Sequence, residues 1–294
     1  MIVAVVVTYS AHDELVRCVK GLTDDPLIDR TVVVDNSGHV ELSPHERVEI
    51  VAATSNGGFA GGANLGFEHA RRLGADWVVL VNDDVEFPGV WLPDVVDAFD
   101  GADVGAVQPL LVGESGLVES AGVVLDRFGA GTDAERGMSV DALADEPFPI
   151  AMFTGGAVVF RPSFLAETRG FDERFFLYYE DVDLARRGTE LGWRYRCVPH
   201  SQVLHRPGTS SSKLGAHVVY LRERNRLWSA VRHESPATVG RALGLSIRRC
   251  RHQPRRAHFR ALFAGLGGVP VRLVERWRSP RRRARRTVNS RVAS

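Results

Sequence analysis

Five clusters in this sequence combine residue types that bind cations, phosphates or protons. Asn82-Asp83-Asp84 follows the apolar run Trp77 to Val81. Hard cations take oxygen ligands, and Mg²⁺ commonly combines one or two carboxylates with a substrate's phosphates, so an acidic pair delivered by a strand suits a metal diphosphate. Without that strand, Asp-Asp would read as a cap or turn. Glu180-Asp181-Val182-Asp183 follows the aromatic-rich stretch Phe175 to Tyr179 and opens a helical run that Gly192 would end. The helix dipole favours ionised carboxylates in a first turn, and one beside aromatic rings can act as a general base. The competing reading pairs Asp183 with Arg186 or Arg187 and makes Glu180-Asp181 a cap. Asp35-Asn36-Ser37-Gly38 could accept from a base or a ribose hydroxyl, and is equally ordinary turn chemistry. Asn56 to Gly66 holds five glycines ahead of a helix running to about Leu73. Exposed amides at a helix start favour phosphate, whereas a flexible surface loop would need no ligand. Neither the dinucleotide fingerprint nor the P-loop is present. Finally, His205 closes the short run Val203-Leu204 and can serve as a metal ligand, Arg206 could neutralise a phosphate, and His200 is the weaker candidate.

The elements that must position these residues follow from periodicity. Ile2 to Thr8, Thr31 to Val34, Val48 to Ala52 and Trp77 to Val81 are buried-strand runs, and Leu15, Val16, Val19 and Leu22 have helical spacing. Strands alternating with helices predict a parallel sheet covered on both faces, with ligands beyond the carboxyl ends of the strands. Thr8-Tyr9, Asp35-Asn36, Ser55-Asn56 and Asn82-Asp83-Asp84 stand at those ends. Beyond Pro109 the pattern changes to short strands, with turns at Gly113 to Gly116 and Phe128 to Gly137. Residues 111 to 150 carry the weakest signal. A second block covers Phe153 to His205, and helices begin beyond Leu214, the first around Tyr220 to Trp228. The divisions are 1 to 110, 111 to 212, and 213 to 294, the last a helical extension.

The formal net charge of +1 conceals an asymmetry. Residues 241 to 294 contain sixteen Arg, no Lys and one acid, Glu275, which leaves the preceding residues strongly acidic. Such a block suits an anionic membrane surface, nucleic acid or an acidic partner, and an Arg-biased genome would also produce it, since the chain has only Lys20 and Lys213. Within it, Phe259, Leu262, Phe263, Leu266, Val269, Leu273 and Trp277 alternate with arginines. Gly265, Gly267, Gly268 and Pro270 predict two short amphipathic pieces lying in an interface and no spanning helix. Cys18, Cys197 and Cys250 have no metal-binding spacing and read as reduced thiols in a cytosolic protein.

In this order the clusters resemble glycosyltransferase family 2, and within it the bacterial rhamnosyltransferase-like and galactofuranosyltransferase-like members. The resemblance covers about residues 2 to 230. It is most specific at Asn56 to Gly66, Asn82-Asp83-Asp84, Phe153 to Ala157, and Gly170-Phe171-Asp172-Glu173 leading into Tyr179 to Asp183. It implies an α/β protein of GT-A fold: a Rossmann-like, mostly parallel central sheet flanked by helices, with 1 to 110 as the nucleotide-sugar-binding half, 111 to 212 as the acceptor-binding and catalytic half, and the C-terminal helical extension. Thr8 and Asp35 match nucleoside-holding positions, and Tyr9, Asn56, Gly57, Asn64, Asn82 and Asp83 join them on the nucleotide edge. Asn82-x-Asp84 matches the Asp-x-Asp metal motif with Asn first, which leaves Asp84 as principal carboxylate. His205 matches a downstream His that completes the metal site. Asp181 matches the base, with Glu180 and Asp183 as secondary catalytic candidates, and Gly155, Gly156 and Glu180 fall on the sugar and acceptor.

The resemblance implies inverting transfer of one sugar, first choice L-rhamnose from dTDP-rhamnose, to a hydroxyl of a glycan or polyprenyl-linked saccharide in cell-envelope synthesis. A UDP-sugar transferase of the same fold is the alternative. Inversion needs a base and a stabilised leaving diphosphate, with Mn²⁺ or Mg²⁺ as cofactor and nitrogen ligation favouring Mn²⁺. The expected location is cytoplasmic, peripheral on the inner face of the plasma membrane. A nucleotidyltransferase would carry a Gly-rich Arg/Lys loop after the first strand, where this chain has Tyr9-Ser10-Ala11-His12-Asp13. A noncatalytic nucleotide- or glycan-binding protein is the reading from another class. No nucleic-acid partner is expected, because base-stacking motifs are missing.

Overall fold

The computed structural model describes residues 1–9, 13–206 and 215–278. Ser10 to His12, in the stretch after the first strand, and residues 279 to 294, the end of the Arg-rich block, lie outside the described residues. The first half alternates as expected: β1 (Ile2–Thr8), α1 (Asp13–Asp24), β2 (Arg30–Asp35), β3 (Val48–Ala52), α2 (Gly58–Leu73) and β4 (Trp77–Asn82). Val3 to Val6 and Val32 to Val34 are wholly buried, as β-branched side chains are in a sheet covered on both faces. Parallel pairing sets Val5 opposite Val32 on one side and Leu80 on the other. Alternate side chains therefore enter two layers. Val3, Val5 and Val7 cluster with Ala63 and Phe67 of α2, while Ala4 and Val6 cluster with Leu15, Cys18 and Leu22 of α1.

Two of the five glycines belong to this packing. A Cβ on Gly62 would stand 2.6 Å from Val7, and one on Gly66 only 2.2 Å from Val5, so α2 can lie against β1 because both are glycine. Their close approach is to the sheet and not to a ligand.

The second half comprises β5 (Val85–Glu86), α3 (Leu92–Asp97), β6 (Val104–Val112), β7 (Val118–Ser120), β8 (Val123–Leu125), β9 (Gly131–Asp133), β10 (Phe148–Ile150), β11 (Ala157–Phe160), α4 (Pro162–Thr168), α5 (Glu180–Leu191) and β12 (Arg194–His205). One ten-stranded sheet runs through both halves in the order β10-β12-β6-β11-β4-β1-β2-β3, with β5 added to β12 and β7 to β6. β6 itself crosses position 110. β11 is antiparallel to β4 and β6, and the remaining central pairs are parallel. Part of the Phe128 to Gly137 stretch, expected as turn, is β9, which pairs with β8 in a separate two-stranded sheet. Three residues are too short a run for periodicity to register.

The C-terminal extension is α6 (Ala216–His233), α7 (Pro236–Arg249) and α8 (Arg255–Arg278). The expected break of the last helix into two pieces does not occur: α8 runs through Gly265, Gly267, Gly268 and Pro270. A Cβ on Gly268 would come 2.2 Å from the Trp228 Nε1, one on Gly265 2.7 Å from Leu227, and that Nε1 donates to the Gly265 carbonyl at 3.2 Å. These two glycines seat α8 on α6. Among the described residues no helix is long and apolar enough to cross a membrane.

Candidate active site

Parallel register aligns the strand ends that the sequence marked. Thr8 pairs with Asp35 and Val7 with Asn82, so β1, β2 and β4 finish side by side, with Tyr9 exposed just beyond. Asp35 makes the turn that its sequence allows. One carboxylate oxygen accepts from the Ser37 amide and hydroxyl, both at 2.7 Å, and from the Gly38 amide at 2.9 Å; the other accepts from the Val40 amide at 2.9 Å. Burial works against the charge, but these bonds outweigh it and lower the pKa. The carboxylate thus shapes the edge, and its contacts are those of the turn reading. Asn36 Nδ2 donates to the Gly58 carbonyl at 2.9 Å, which fixes the start of α2 beside this edge, and Asn56 Oδ1 accepts from the Gly58 amide at 2.9 Å. Gly57 immediately precedes the helix, and a Cβ on Gly61 would meet nothing within 4 Å. The amides of Gly58 and Ala60 in the first turn of α2 are already paired, with Asn56 and with the Phe176 carbonyl, so what the start of α2 offers an anion beside the strand ends is the positive end of the helix dipole.

Asn64, expected at the nucleotide, instead binds protein. Its Nδ2 donates to the Phe171 carbonyl at 2.9 Å and to Glu173 Oε1 at 3.0 Å, and its Oδ1 accepts from the Phe171 amide at 2.8 Å. It clamps the Gly170 to Glu173 loop to α2. Two specific motifs are here parts of one contact.

His205 reaches Asp84 through the antiparallel pairing of β12 with β5, which sets His205 against Val85. Its Nε2 lies 3.2 Å from Asp84 Oδ1, and its Nδ1 lies 3.0 Å from Glu119 Oε2. Glu119, on β7, escaped the sequence reading because it lies in the stretch with the weakest pattern. Burial opposes a charge on His205, yet the hydrogen bonds and charges of Asp84 and Glu119 win and hold its pKa up at about 9. Beside it, burial pushes Asp83 up to about 6, the Thr8 hydroxyl bond resists this, and the Asp84 charge adds to it. Among the described residues no three His, Cys, Asp or Glu side chains form a cation cage. Asp84 and His205 supply one oxygen and one nitrogen, a set that fits a divalent ion completed by a diphosphate, and Glu119 stands where an outer carboxylate orients a ligating imidazole. Arg206 lies 3.2 Å from both Glu86 and Glu114, and His200 turns to Asp145 and Asp94.

Asp181 stands one short path away. The Asn82 amide donates to the Gly156 carbonyl at 2.9 Å, and the Gly155 amide donates to Asp181 Oδ2 at 3.1 Å. The Val182 amide donates to Oδ1 at 2.7 Å, so each carboxylate oxygen is aimed by backbone. Burial raises the Asp181 pKa, the two amides pull it back, and Asp133 of β9 adds to the rise. Glu180 is buried, its Oε2 has no hydrogen-bond partner among the described residues, and burial with the neighbouring Asp181 charge pushes its pKa well up.

The loop before these acids is strained. Phe176, Tyr178 and Tyr179 have φ of 68°, 70° and 71°, a conformation that costs non-glycine residues about 1–3 kcal/mol each. Asn225 of α6, wholly buried, holds it there: its Nδ2 meets the carbonyls of Phe175 and Leu177 at 2.9 Å and Tyr178 at 2.7 Å. The Phe176 carbonyl also accepts from the Ala60 amide at 3.2 Å and fills the place of a Cβ on Gly58. The loop so joins the start of α2 to α6. Sequence reading recorded Asn225 only as part of a helix, although a polar residue between Leu221 and Leu227 was a signal.

Asp183 points elsewhere. It is fully buried, with Arg187 at 2.8 Å, Arg232 at 2.9 Å and His233 Nε2 at 2.9 Å. Burial would raise its pKa, but Arg187, Arg232 and His233 overcome that and lower it well below the carboxylate range. The foreseen Arg187 pair exists in the interior and not on the surface, and these contacts remove Asp183 from the base candidates. Asp172 extends the network to Arg174, Arg232 and Arg272, which binds α8 to the Gly170 to Glu173 loop.

The model of the family described as glycosyltransferase like family 2 matches residues 2–253. The chain belongs to glycosyltransferase family 2. It is 27% identical over 267 residues to the N-acetylglucosaminyl-diphospho-decaprenol L-rhamnosyltransferase of Mycobacterium tuberculosis, covering 76% of this chain and 85% of that one. Galactofuranosyltransferase GlfT1 of the same organism is 30% identical over 224 residues, 71% of each chain. Among solved structures, GalNAc-T7 with UDP, GalNAc and Mn²⁺ superposes with a TM-score of 0.59 at 14% identity, over 78% of this chain and 47% of that longer one. The mannosyltransferase PcManGT of Pyrobaculum calidifontis, in complex with GDP-Man and Mn²⁺, gives 0.53 at 14% identity, over 91% and 86%. The fold of this family 2 member is GT-A.

Proposed function

We propose that this family 2 protein transfers one sugar with inversion from a nucleoside diphosphate sugar, first choice dTDP-L-rhamnose, to a hydroxyl of a glycan or polyprenyl-linked saccharide. The observation that carries the reading is the continuous path from Asn82 through Gly156 and Gly155 to Asp181, which sets a proton acceptor beside the acidic strand edge. Asp181 takes the acceptor's hydroxyl proton, its oxygens held in direction by the Gly155 and Val182 amides. Glu180, its carboxyl pKa pushed well up by burial and by the Asp181 charge, orients the acceptor through the Oε2 that no group among the described residues engages. Gly155 and Gly156 meet the sugar through their backbone, a Cβ on Gly155 standing 3.1 Å from Phe59 and one on Gly156 2.9 Å from Leu111, and the positive end of the α2 dipole favours the diphosphate. Asp84 and His205 would hold Mn²⁺ or Mg²⁺, whose chemistry is to neutralise charge on the departing diphosphate. As a ligand His205 would have to be neutral on the side that faces Asp84, and Glu119, 3.0 Å from its Nδ1, would keep the imidazole aimed. The rhamnosyltransferase relative supports the donor, and the 30% identity to GlfT1 supports a UDP-sugar as second reading. The corresponding location is the cytoplasmic face of the plasma membrane.

The test is a panel of nucleotide sugars with Mn²⁺, read by thermal stabilisation and by release of nucleoside diphosphate. dTDP-rhamnose should stabilise most. If no nucleotide sugar stabilises the protein or is turned over, the reading fails.

A further inference from the structure

Helix α8 is apolar on two faces, and the fold uses one of them. Ala257, Ala261, Gly265 and Arg272 are buried, Gly265 and Gly268 against α6. On the other side Phe259, Phe263, Leu266, Pro270, Leu273 and Trp277 recur at alternating steps of four and three residues. At about 3.6 residues per turn this spacing draws one stripe along the helix. All are exposed, and the five large side chains range from 42% at Leu273 to 69% at Phe263. An apolar stripe of this length in water marks a surface that something covers.

Charge identifies the occupant. Arg255, Arg256, Arg260 and Arg278 are exposed on the same helix, and the only acid between position 241 and the end is Glu275. That carboxylate is already taken by Arg272 at 3.0 Å and by Arg174. A second copy meeting this stripe through heptad-like packing would therefore set arginine against arginine with no acid to answer it. An anionic lipid surface answers both features at once, with apolar side chains at the acyl boundary and arginines at the headgroups. We propose that α8 docks the protein on an anionic bilayer, lying in the plane of the interface with Phe259, Phe263 and Leu266 inserted. The docking gives the location proposed above a physical basis and is independent of which sugar is transferred.

Removing α8 would strip Arg272 from Asp172, so the experiment keeps the full chain. Protein without nucleotide is sedimented with vesicles of phosphatidylglycerol and phosphatidylcholine, and with phosphatidylcholine alone. The wild type should pellet with the anionic vesicles and be released as salt rises. Phe263→Ser with Leu266→Ser should lower the bound-to-free ratio at least about tenfold, since each buried apolar side chain counts for that much, while its melting curve stays that of the wild type. Arg255→Gln with Arg256→Gln, outside the packed face, should weaken anionic binding in the same assay and keeps the test open if the first variant misfolds. A wild type that stays in the supernatant overturns the proposal, as does a folded serine variant that pellets equally well. A concentration-dependent dimer in sedimentation velocity, dissolved by the serine substitutions without any vesicle binding, would assign the stripe to a second copy. Release of nucleoside diphosphate from the donor panel should be the same in all variants, so loss of docking and loss of the transferase reading are read separately.

Discussion

Asp183→Asn changes one atom in the interior and should unfold the protein far more readily than Asp181→Asn two residues earlier. The asparagine keeps the shape of the side chain but removes the charge that faces Arg187 at 2.8 Å, Arg232 at 2.9 Å and His233 at 2.9 Å, at a site with no exposure. Breaking a buried pair by removing one partner costs about 3–5 kcal/mol. Arg232 keeps Asp172 at 3.3 Å, and Arg187 keeps the Thr168 and Gly170 carbonyls, so about 3 kcal/mol, the low end, is expected. For a chain of this size that lowers Tm by roughly 6–12 °C. Urea and thermal melts at neutral pH measure it. The pH dependence fixes its origin. A carboxyl whose folded pKa is depressed stabilises fully above its unfolded value, about 3.9, and loses that contribution as pH falls through the folded value. The gap between wild type and Asp183→Asn should therefore hold from neutral pH down to that point and close below it. A melt of Asp183→Asn within about 1 kcal/mol of wild type would refute the assignment of Asp183 to the core, and return it to the candidates for base.

Asp84→Ala should abolish transfer and metal-dependent donor binding, His205→Ala should do so in part, and EDTA should reproduce the effect; donor affinity unchanged by all three would remove the metal from the reaction. Glu119→Gln should leave the melting curve near wild type and weaken Mn²⁺ binding in calorimetry by about tenfold, the lower end of what an outer partner of a ligating His contributes. Equal affinity would sever Glu119 from the site. Asn225→Ala takes the donor from the Leu177 and Tyr178 carbonyls, Phe175 keeping Arg224 at 2.9 Å, and should cost about 2–3 kcal/mol in a denaturant melt while lowering kcat more than it raises KM. If KM carries the whole loss, the loop serves binding and not the position of Asp181.

The central sheet was legible because buried parallel strands write continuous valine runs, and the same runs placed Asn82 to Asp84 at the carboxyl edge of the sheet. The family 2 membership and GT-A fold implied by the motifs agree with the comparisons. What escaped depends on contacts distant in sequence. Asn64 meets Phe171, Glu119 meets His205 and Asn225 meets Phe175, separations of 107, 86 and 50 residues that no local period records. Glycine misled twice for one reason. Gly62, Gly66, Gly265 and Gly268 share a composition with ligand loops and helix breaks, yet each marks a helix brought close to its neighbour.

In the proposed mechanism Asp181 deprotonates the acceptor in a single inverting displacement. Its direct test follows the anomeric proton by NMR, with whichever nucleotide sugar stabilises the protein, in wild type and Asp181→Asn. The wild type should give one product anomer, opposite to the donor's, and Asp181→Asn should bind the donor with unchanged affinity and turn over at least ~100-fold more slowly. A product of retained configuration, or normal turnover in the variant, would rule that mechanism out.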